Sequence, residues 1–516
     1  MVFRNIFLWR NHIFEKTNYK NLENYKNLML DQSFSSSNFN LIFLKENRKG
    51  TIKKRHLNQE YFDKHDEFNA VLNDKINLRH SRANKTLSQD ELNDFAERLQ
   101  TINEEKEEIR NNLFSDYSDI INNEDTPFCF EIKYDKSNEM YITNKNGAHF
   151  FAIKQLQKNL HKTFKVIQAD RNTIIKQIYN LISDGFPKII IRTDITKFYE
   201  SIPQKKLFEK LENNSLLSPL SKKLLKRMFY EFEKIKDTTL MQPQKGIPRG
   251  FGVSAYLSEL YMREIDNEIK CLPDIIYYAR YVDGIIAVFT PKTKSQEYDY
   301  KKLIKEIINK NELQINDNLD GRKDKTHKIV LLDKILPHPE KLDFLGYKFL
   351  IKQNHEIIVE LSDNKVKRYL DRIKKSIEIY NIDSKYNEKR ARKMLFDRLK
   401  FLTCNYRLNH NKKSIKAGVY HSNCMLELNK KTYNCLKILN LRMIRLLNDL
   451  NPPPKIGISK ANLIDVIKNK FCFEKGFNQR IFHSFKFNSR EHIYYNRKFK
   501  RVTNKFEVIK SIWKDE

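Results

Sequence analysis

The sequence predicts an α+β protein, with a centre of mixed strands and helices between two helical regions. One observation is a pair of aspartates, Asp194 and Asp283, each set in a β-branched, apolar run typical of a buried strand. Another is the alternation of strand and helix patterns over residues 126–358. Helix-favouring sequence flanks that centre, so three domains are expected: residues 1–125, 126–358 and 359–516.

The first region, residues 1–125, is polar and has helical periodicity. Ser88 and Glu91 have the spacing of a capping box, which predicts a helix that starts after Ser88 and continues through Arg110. The serine-rich stretch at residues 33–38 is interpreted as a loop. The region shows no recognisable chemistry, so a helical extension that packs or oligomerises is the simpler interpretation.

The central region predicts alternating elements, taken here in chain order. These are strands at 128–132 and 139–143, a helix at 171–182, a strand ending at Asp194, helices at 221–234 and 254–269, a strand across Asp283, a helix at 298–311, and a strand pair at 329–332 and 342–351. Such an alternation indicates a layered arrangement of helices on a sheet.

The two strand aspartates are the first candidates for chemistry. A buried, unpaired carboxylate is costly, so two of them favour a shared hard cation. Mg²⁺ typically takes one or two protein carboxylates and leaves its other positions for substrate phosphates. Two such ions about 4 Å apart clamp the attacking and leaving oxygens of nucleotidyl transfer. The alternative is a structural pair of capped or ion-paired acids.

The third region, from about residue 359, is helical and basic, with helix candidates at 365–380, 388–404 and 425–450. The prolines at 452–454 end the last of them. Aromatic and basic residues alternate from about residue 482 to residue 501. They predict either a stacking platform for single strands or a helical subdomain with its aromatics inside, and the second is preferred.

Net charge indicates the kind of partner, and the cysteine content indicates the redox compartment. The 516 residues include 96 Lys and Arg against 65 Asp and Glu, a net charge of +31. This surplus indicates a polyanion partner, most often nucleic acid, although a Lys-rich coding bias contributes. The six cysteines are scattered and form no C-x-x-C pair, which predicts a reducing cytoplasm and no zinc site. No run approaches about 18 apolar residues, so no membrane span is expected.

Four further segments accompany the aspartates. They are the glycine-containing turn Gly246–Ala255, the segment Leu313–Asn316 with Lys325 and Thr326, the tetrapeptide Phe344–Tyr347, and the helix that begins at Arg171. Glycine permits a tight turn whose backbone approaches a ligand closely.

In this order the motifs resemble the palm of reverse transcriptases, over roughly residues 165–350. The segments Arg192–Ile202 and Gly246–Leu260 are most similar to the bacterial antiphage group, the abortive-infection and defence-associated reverse transcriptases. Within that group the resemblance is nearest to the second reverse transcriptase of the type-three defence system. It implies a right-hand palm and fingers, a helical N-terminal extension and a helical, basic, thumb-like C-terminal region.

The resemblance also implies roles for matching residues. Asp194 and Asp283 would hold two Mg²⁺ ions, with Mn²⁺ as an alternative and the Ile195 carbonyl as a further ligand. Tyr199 would lie under the sugar of a dNTP and exclude a 2′-hydroxyl. Lys325 would act near the leaving pyrophosphate. The alternative to each role is structural: Tyr199 is an ordinary core aromatic residue, or Lys325 is a solvated surface lysine.

The remaining implied roles concern nucleotide and primer. Arg249, Gly250 and Arg171 would contact the incoming nucleotide, with an ordinary salt bridge as the alternative for Arg249. The primer grip would be formed by Phe344, Leu345, Gly346 and Tyr347.

Three positions depart from the family pattern. Gly284 stands where a second aspartate is usual, so the metal site has one fewer nearby charge. Arg249 stands where the family usually has a glutamine. Its guanidinium can donate two hydrogen bonds at once to a phosphate or to a base edge. Residues 317–324 separate Asn316 from Lys325, a longer spacing than the family has.

The sequence therefore predicts a DNA polymerase of antiphage defence. Its expected partners are dNTPs, RNA such as a non-coding RNA, single-stranded DNA and a second reverse transcriptase, within an oligomer. The template is RNA, the protein itself or none. The alternative is a catalytically inactive palm fold that binds nucleic acid as a subunit, which Gly284 favours.

Overall fold

The structure is a computed structural model. It describes residues 31–81, 86–144, 146–236, 241–291, 299–317, 326–410, 413–428, 434–454, 459–486, 494–496, 501–503 and 505–513. Among these, no helix is both long and apolar enough to cross a membrane.

The helices of the described residues, in chain order, are α1 (Ser36–Arg48), α2 (Gln59–Ser81), α3 (Gln89–Asn122), α4 (Gly147–Phe164), α5 (Arg171–Ser183), α6 (Phe198–Ser201), α7 (Gln204–Glu212), α8 (Pro219–Ile235), α9 (Ser254–Lys270), α10 (Tyr300–Lys310), α11 (Asp363–Thr403), α12 (Val419–Asn423), α13 (Asn434–Leu446), α14 (Lys460–Lys470), α15 (Phe473–Gln479) and α16 (Lys505–Lys510).

The strands are β1 (Ile132–Asp135), β2 (Met140–Thr143), β3 (Lys188–Asp194), β4 (Ile275–Tyr281), β5 (Gly284–Phe289), β6 (His327–Leu331), β7 (Glu340–Phe344), β8 (Tyr347–Ile351), β9 (Ile357–Leu361), β10 (Asn405–His410), β11 (Lys413–Gly418), β12 (Phe482–Lys486), β13 (Tyr494–Asn496) and β14 (Arg501–Thr503).

The chain divides into two compact units, each built from separate stretches of sequence. The first unit is Met1–Gln168, Thr196–Glu268 and Ile307–Gln314, and the second is Ala169–Ile195, Ile269–Glu306 and Ile315–Glu516. The three domains expected from the sequence divide the chain at other places and stay a prediction.

The first unit is mostly helical. The predicted capping box is confirmed, because the Ser88 and Glu91 side chains each bond the other's backbone N–H, and α3 then continues to Asn122, beyond the predicted end. The loop predicted at residues 33–38 is wrong in its second half. Ser35 caps α1 by accepting a hydrogen bond from the Asn38 N–H, so the helix begins at Ser36.

The second unit contains a four-stranded antiparallel sheet in the order β4-β5-β3-β6. The isoleucines of β3 are buried, and α5 contributes Ile174, Ile175 and Ile178 to the same core. The predicted helix at Arg171 and the predicted strand ending at Asp194 are both confirmed.

A second sheet in this unit has the order β7-β8-β9. Strands form at the positions predicted around 329–332 and 342–351, but the prediction that they pair with each other is wrong. β6 joins the four-stranded sheet, whereas residues 342–351 span the hairpin of β7 and β8, which reverses at Leu345 and Gly346.

The C-terminal part of the second unit is less helical than predicted. The helices predicted at 365–380 and 388–404 are confirmed, because α11 consists of two helices separated by a break at Asn387, whose backbone is extended (φ −157°, ψ 93°). β10, β11 and β12 form a three-stranded sheet in which β12 runs parallel to β10. The preferred helical interpretation of the tail is therefore wrong at Phe482–Lys486. Residues 487–493 and 497–500 lie outside the described part of the chain.

Candidate active site

The two predicted metal aspartates lie at one end of two paired strands. Asp194 is the last residue of β3, and β3 pairs with β5 so that Asp194 is opposite Gly284. The backbone N–H of Ile195 donates a hydrogen bond to the carbonyl oxygen of Asp283 at 3.0 Å. The structure therefore brings Asp194, Ile195 and Asp283 together within the second unit.

Asp283 lies in a turn, not inside the single strand that the sequence predicted. The chain reverses between β4 and β5, and Val282 takes a left-handed conformation with φ +59°. Such a conformation is rare for a β-branched residue, which explains why the pattern gave no sign of it. The side chain of Asp283 is exposed at this turn.

Arg280 supports the turn from inside. Its side chain is buried, and Nη1 donates a hydrogen bond to the Val282 carbonyl at 2.8 Å. Sequence analysis missed this residue. The signal for it was a lone arginine at an inward position of an otherwise apolar strand.

Arg192 is a second contributor that the sequence analysis missed. Its Nη2 lies 2.9 Å from Oδ1 of Asp194, and the two side chains are only 16% and 14% exposed. The two residues are two apart on a strand, so their side chains share one face. The pair offsets the cost of burying the Asp194 carboxylate and fixes its orientation.

Gly284 lies directly beside the Asp194 carboxylate. A Cβ at this position would be 3.8 Å from Oδ1 of Asp194 and 3.5 Å from Cε2 of Phe344, which is ordinary van der Waals contact. A second aspartate here would therefore place a carboxylate next to Asp194. The glycine removes that charge from the site, as the sequence implied.

The predicted primer grip forms the turn between β7 and β8. Leu345 and Gly346 both have positive φ, +46° and +78°, and Phe344 pairs with Tyr347. Two central residues with positive φ define a type I′ turn, in which glycine is a preferred residue. Phe344 extends from this turn towards position 284.

Arg171 holds the same turn. Its Nε and Nη2 donate hydrogen bonds of 2.9 and 2.6 Å to the Leu345 carbonyl, and its guanidinium lies 5.1 Å from the centre of the Tyr347 ring. These contacts give Arg171 a positioning role at the hairpin. Its expected contact with the incoming nucleotide stays a prediction.

Lys325 lies outside the described residues, but both ends of its segment are placed. The Thr326 hydroxyl donates to the Asn316 carbonyl at 3.0 Å, and the Asn316 N–H donates to the Asp194 carbonyl at 2.9 Å. Asn316 and Thr326, which flank the undescribed residues 318–325, therefore lie beside the strand that carries Asp194. The role of Lys325 stays a prediction.

Tyr199 and the glycine turn belong to the first unit. The Ile247 N–H donates to the Tyr199 carbonyl at 2.8 Å. Gly246 has φ +89°, and a Cβ there would lie 3.2 Å from the Glu200 carbonyl oxygen, so the close approach needs glycine. The Tyr199 ring is half-buried, 5.3 Å from that of the buried Phe198.

Arg249 and Gly250 continue this turn along β2. The Tyr141 N–H donates to the Arg249 carbonyl at 2.7 Å, and a Cβ on Gly250 would lie 2.6 Å from the Tyr141 carbonyl oxygen. The backbone of Arg249 is thus fixed while its side chain is exposed. Among the described carboxylates none pairs with Arg249. The roles expected for Arg249 and Gly250 stay predictions.

Residues 146–349 match the family model described as reverse transcriptase, an RNA-dependent DNA polymerase. Over this part the chain is similar to reverse transcriptases. The match confirms the predicted fold class and the predicted enzyme class, a nucleotidyl-transferring polymerase. It covers less than half of the chain and includes both aspartates, the glycine turn and the primer-grip turn.

Solved structures add looser likenesses. Apo telomerase from Candida tropicalis, truncated from its C-terminal domain, is 16% identical, with a TM-score of 0.28 over 41% of this chain and 45% of that one. Telomerase from Candida albicans in complex with a fragment of telomeric RNA is 13% identical, with a TM-score of 0.27 over 61% and 54%. This chain thus spans about half the length of each. No curated protein matches the chain.

The donors at the two aspartates fit Mg²⁺. Asp194, Asp283 and the Ile195 carbonyl supply oxygen atoms only, which is the ligand type that Mg²⁺ prefers. Within the described ranges no group of three or more His, Cys, Asp or Glu is arranged to hold a metal.

Proposed function

We propose that the chain is a DNA polymerase that transfers nucleotides from dNTPs with the help of two Mg²⁺ ions, or Mn²⁺ as an alternative. The observation that carries the proposal is the 3.0 Å hydrogen bond from Ile195 to Asp283, which joins the ends of the two aspartate-bearing segments. Asp194, Asp283 and the Ile195 carbonyl would hold the ions. When bound, such ions stabilise the negative charge on the attacking and leaving oxygens.

The chain's own residues position the reactants. Arg192 orients the Asp194 carboxylate through its ion pair. The turn Phe344–Tyr347 seats the end of the growing strand. Tyr199 excludes a 2′-hydroxyl, Arg249 and Gly250 contact the incoming nucleotide, and Lys325 assists the leaving pyrophosphate.

The test is incorporation of each labelled dNTP by purified protein, with Mg²⁺ or with EDTA, with and without co-purified RNA. Asp194→Asn and Asp283→Asn should reduce incorporation to background while the thermal melt stays that of a folded protein. Asp333→Asn is the matched control, because Asp333 is exposed and lies outside the site. Near-normal incorporation by Asp283→Asn would overturn the metal assignment.

A second candidate function is a catalytically inactive subunit that binds nucleic acid. Gly284 and the Arg192–Asp194 ion pair favour it, because they remove one carboxylate and partly neutralise another. No incorporation under any condition, with strand binding that weakens linearly in log salt, would select this candidate. The net charge of +31 predicts such salt dependence for both functions.

We further propose a role in antiphage defence in the cytoplasm, with a non-coding RNA, single-stranded DNA and a second reverse transcriptase as partners in an oligomer. The support is the resemblance of Arg192–Ile202 and Gly246–Leu260 to defence enzymes. Six free cysteines are consistent with a reducing compartment. A plaque assay decides: phage titres should fall with the unaltered gene and its neighbours, and recover with Asp283→Asn.

A further inference from the structure

Two cavities in the second unit meet at shared residues. The basic cavity, about 420 Å³, is lined by the cations Arg171, Lys365, Arg368 and Arg372. The aromatic cavity, about 370 Å³, is lined by Phe401, Phe485 and Trp513. Tyr369, Arg372 and Ser422 line both. Each volume falls in the range of small-ligand sites, about 300–1,000 Å³.

The basic cavity is built for an anion. Of the nine described residues that line it, four are cations and none is an acid. Lys365 is half-buried, and its Nζ donates to the Ser422 carbonyl at 2.9 Å. Burial, followed by repulsion from Arg171 and Arg368, lowers the pKa of Lys365 to about 7. A phosphate would relieve this crowding of positive charge, since each cation gains a charge-assisted hydrogen bond.

The aromatic cavity is built for a flat ring. Phe401 and Trp513 meet edge to face with ring centres 5.4 Å apart. The Arg372 guanidinium lies 4.5 Å from the centre of the Trp513 ring, so one cation links the two cavities. Aromatic side chains beside arginine form the usual surface on which bases stack. The residues of the aromatic cavity lie beyond residue 349, outside the matched domain, whereas Arg171, Leu345 and Gly346 of the basic cavity lie within it.

We propose that the two cavities form one nucleotide-binding site, with the phosphate on Arg171, Lys365, Arg368 and Arg372 and the base against Trp513 and Phe401. The ligand is a nucleotide, either free or as the 5′-terminal residue of a single strand. The site requires no metal and no catalysis by the aspartates. Failure of the polymerase proposal would therefore leave it standing.

Trp513 provides the probe. The chain has two tryptophans, Trp9 and Trp513, so a Trp9→Phe variant reports on Trp513 alone. Its fluorescence is titrated in EDTA, which removes metal-dependent binding at the aspartates, with dAMP, deoxyadenosine, inorganic phosphate and an oligonucleotide with or without a 5′-phosphate. Saturable quenching is expected, with dAMP or the 5′-phosphorylated strand binding at least about tenfold more tightly than deoxyadenosine or phosphate.

Two variants test the two halves of the site. Arg368→Gln should weaken nucleotide binding about tenfold by removing a phosphate contact. Ala417→Leu, which fills the aromatic cavity, should abolish the preference for nucleotide over phosphate. Lys367→Gln, an exposed lysine of the same helix outside both cavities, should bind as the parent does.

The outcomes separate cleanly. Binding of dAMP identifies a free nucleotide, and binding of only the phosphorylated strand identifies a strand end. No saturable binding, phosphate binding as tightly as nucleotide, or variants indistinguishable from Lys367→Gln would overturn the proposal. Calorimetry on the unaltered chain with the same ligands decides the matter if a variant fails to fold.

Discussion

The guanidinium of Arg171 donates two hydrogen bonds, 2.9 and 2.6 Å long, to the carbonyl oxygen of Leu345. Arg171 is the first residue of α5, and Leu345 lies at the tip of the β7–β8 hairpin. One side chain thus fixes the turn that the family resemblance assigns to primer binding. A forked donor on a single carbonyl restricts that turn more than one bond would.

Removing the two hydrogen bonds from Arg171 to Leu345 should weaken binding of the primer strand more than binding of the nucleotide. Arg171→Met and Arg171→Lys should both weaken binding of a primer strand by about tenfold, because neither side chain reproduces the two bonds. Gel-shift titration and steady-state incorporation measure the two effects. A raised KM for dNTP that lysine rescues would instead place Arg171 at the triphosphate. Lys176→Met, exposed on α5, is the control.

The turn that carries Asp283 depends on Arg280. Arg280→Met deletes the bond to the Val282 carbonyl and leaves that carbonyl unsatisfied, at a cost of about 1–3 kcal/mol. We expect a lower kcat with little change in the KM for dNTP, and a melting temperature lowered by a few degrees. Normal kcat in Arg280→Met would show that the turn holds its shape without this bond.

The effect of Gly284 can be tested by restoring the aspartate that the family usually has at this position. Gly284→Asp should lower the melting temperature in EDTA, because a second carboxylate would lie beside Asp194. Added Mg²⁺ should restore it, since a ligand that binds the folded state stabilises that state. Gly284→Asn is the neutral match and should show neither effect. Identical melts for the two variants in both buffers would contradict the predicted metal position.

The steric role proposed for Tyr199 predicts that its removal changes the preference for dNTPs over rNTPs. Tyr199→Ala should raise the use of rNTPs relative to dNTPs by about tenfold to a hundredfold, the usual range for one lost steric contact. Tyr199→Phe keeps the ring and should keep the selectivity. Competition between labelled dNTP and rNTP measures the ratio of rNTP to dNTP incorporation. An unchanged ratio in Tyr199→Ala would show that Tyr199 only packs against its neighbours.

The lowered pKa of Lys365 predicts that the stability of the protein depends on pH. Its folded pKa of about 7 lies below the ordinary value of 10.5, so between these pH values the unfolded chain binds more protons than the folded chain. The free energy of unfolding contributed by this group therefore rises with pH across that window. The groups facing Lys365 include Arg171 and Arg368, which lower its pKa, and the thiols Cys424 and Cys435, which raise it.

Lys365→Met should remove this rise, and should be most stabilising below pH 7, where the folded chain otherwise buries a charge. Urea unfolding at pH values from about 6 to about 10 measures the slope. Lys367→Met is exposed on the same helix and should leave the slope intact. Equal slopes in Lys365→Met and the unaltered chain would contradict the assignment.

Local patterns predicted β3, which ends at Asp194, from its continuous apolar run, and α5, which packs in the same core, from its helical periodicity. The turn at Asp283 was not predictable, since a left-handed Val282 opposes the preference of its residue type. Motif order gave the glycine turn Gly246–Ala255 and the turn Phe344–Tyr347 their proposed roles, which stay predictions. It could not show that Arg171 faces Leu345, because that contact depends on how α5 packs.

Pairing over long sequence distances was the main limit. The aromatic tail was taken for a helical subdomain, but Phe482–Lys486 runs parallel to β10, far earlier in the chain. Such register is set by tertiary packing, which the tail's own composition does not encode. The Arg192–Asp194 pair was within reach of sequence reasoning, because two residues apart on a strand means one shared face.

The position of β3 between β5 and β6 affects how the newly made chain folds on the ribosome. Both neighbours of β3 are synthesised long after it, as Gly284–Phe289 and His327–Leu331. Until then an isoleucine-rich segment has two unpaired edges, a state prone to intermolecular association. Stalled or truncated products ending before residue 331 should therefore aggregate or recruit chaperones, and expression yield should depend on translation speed across that interval.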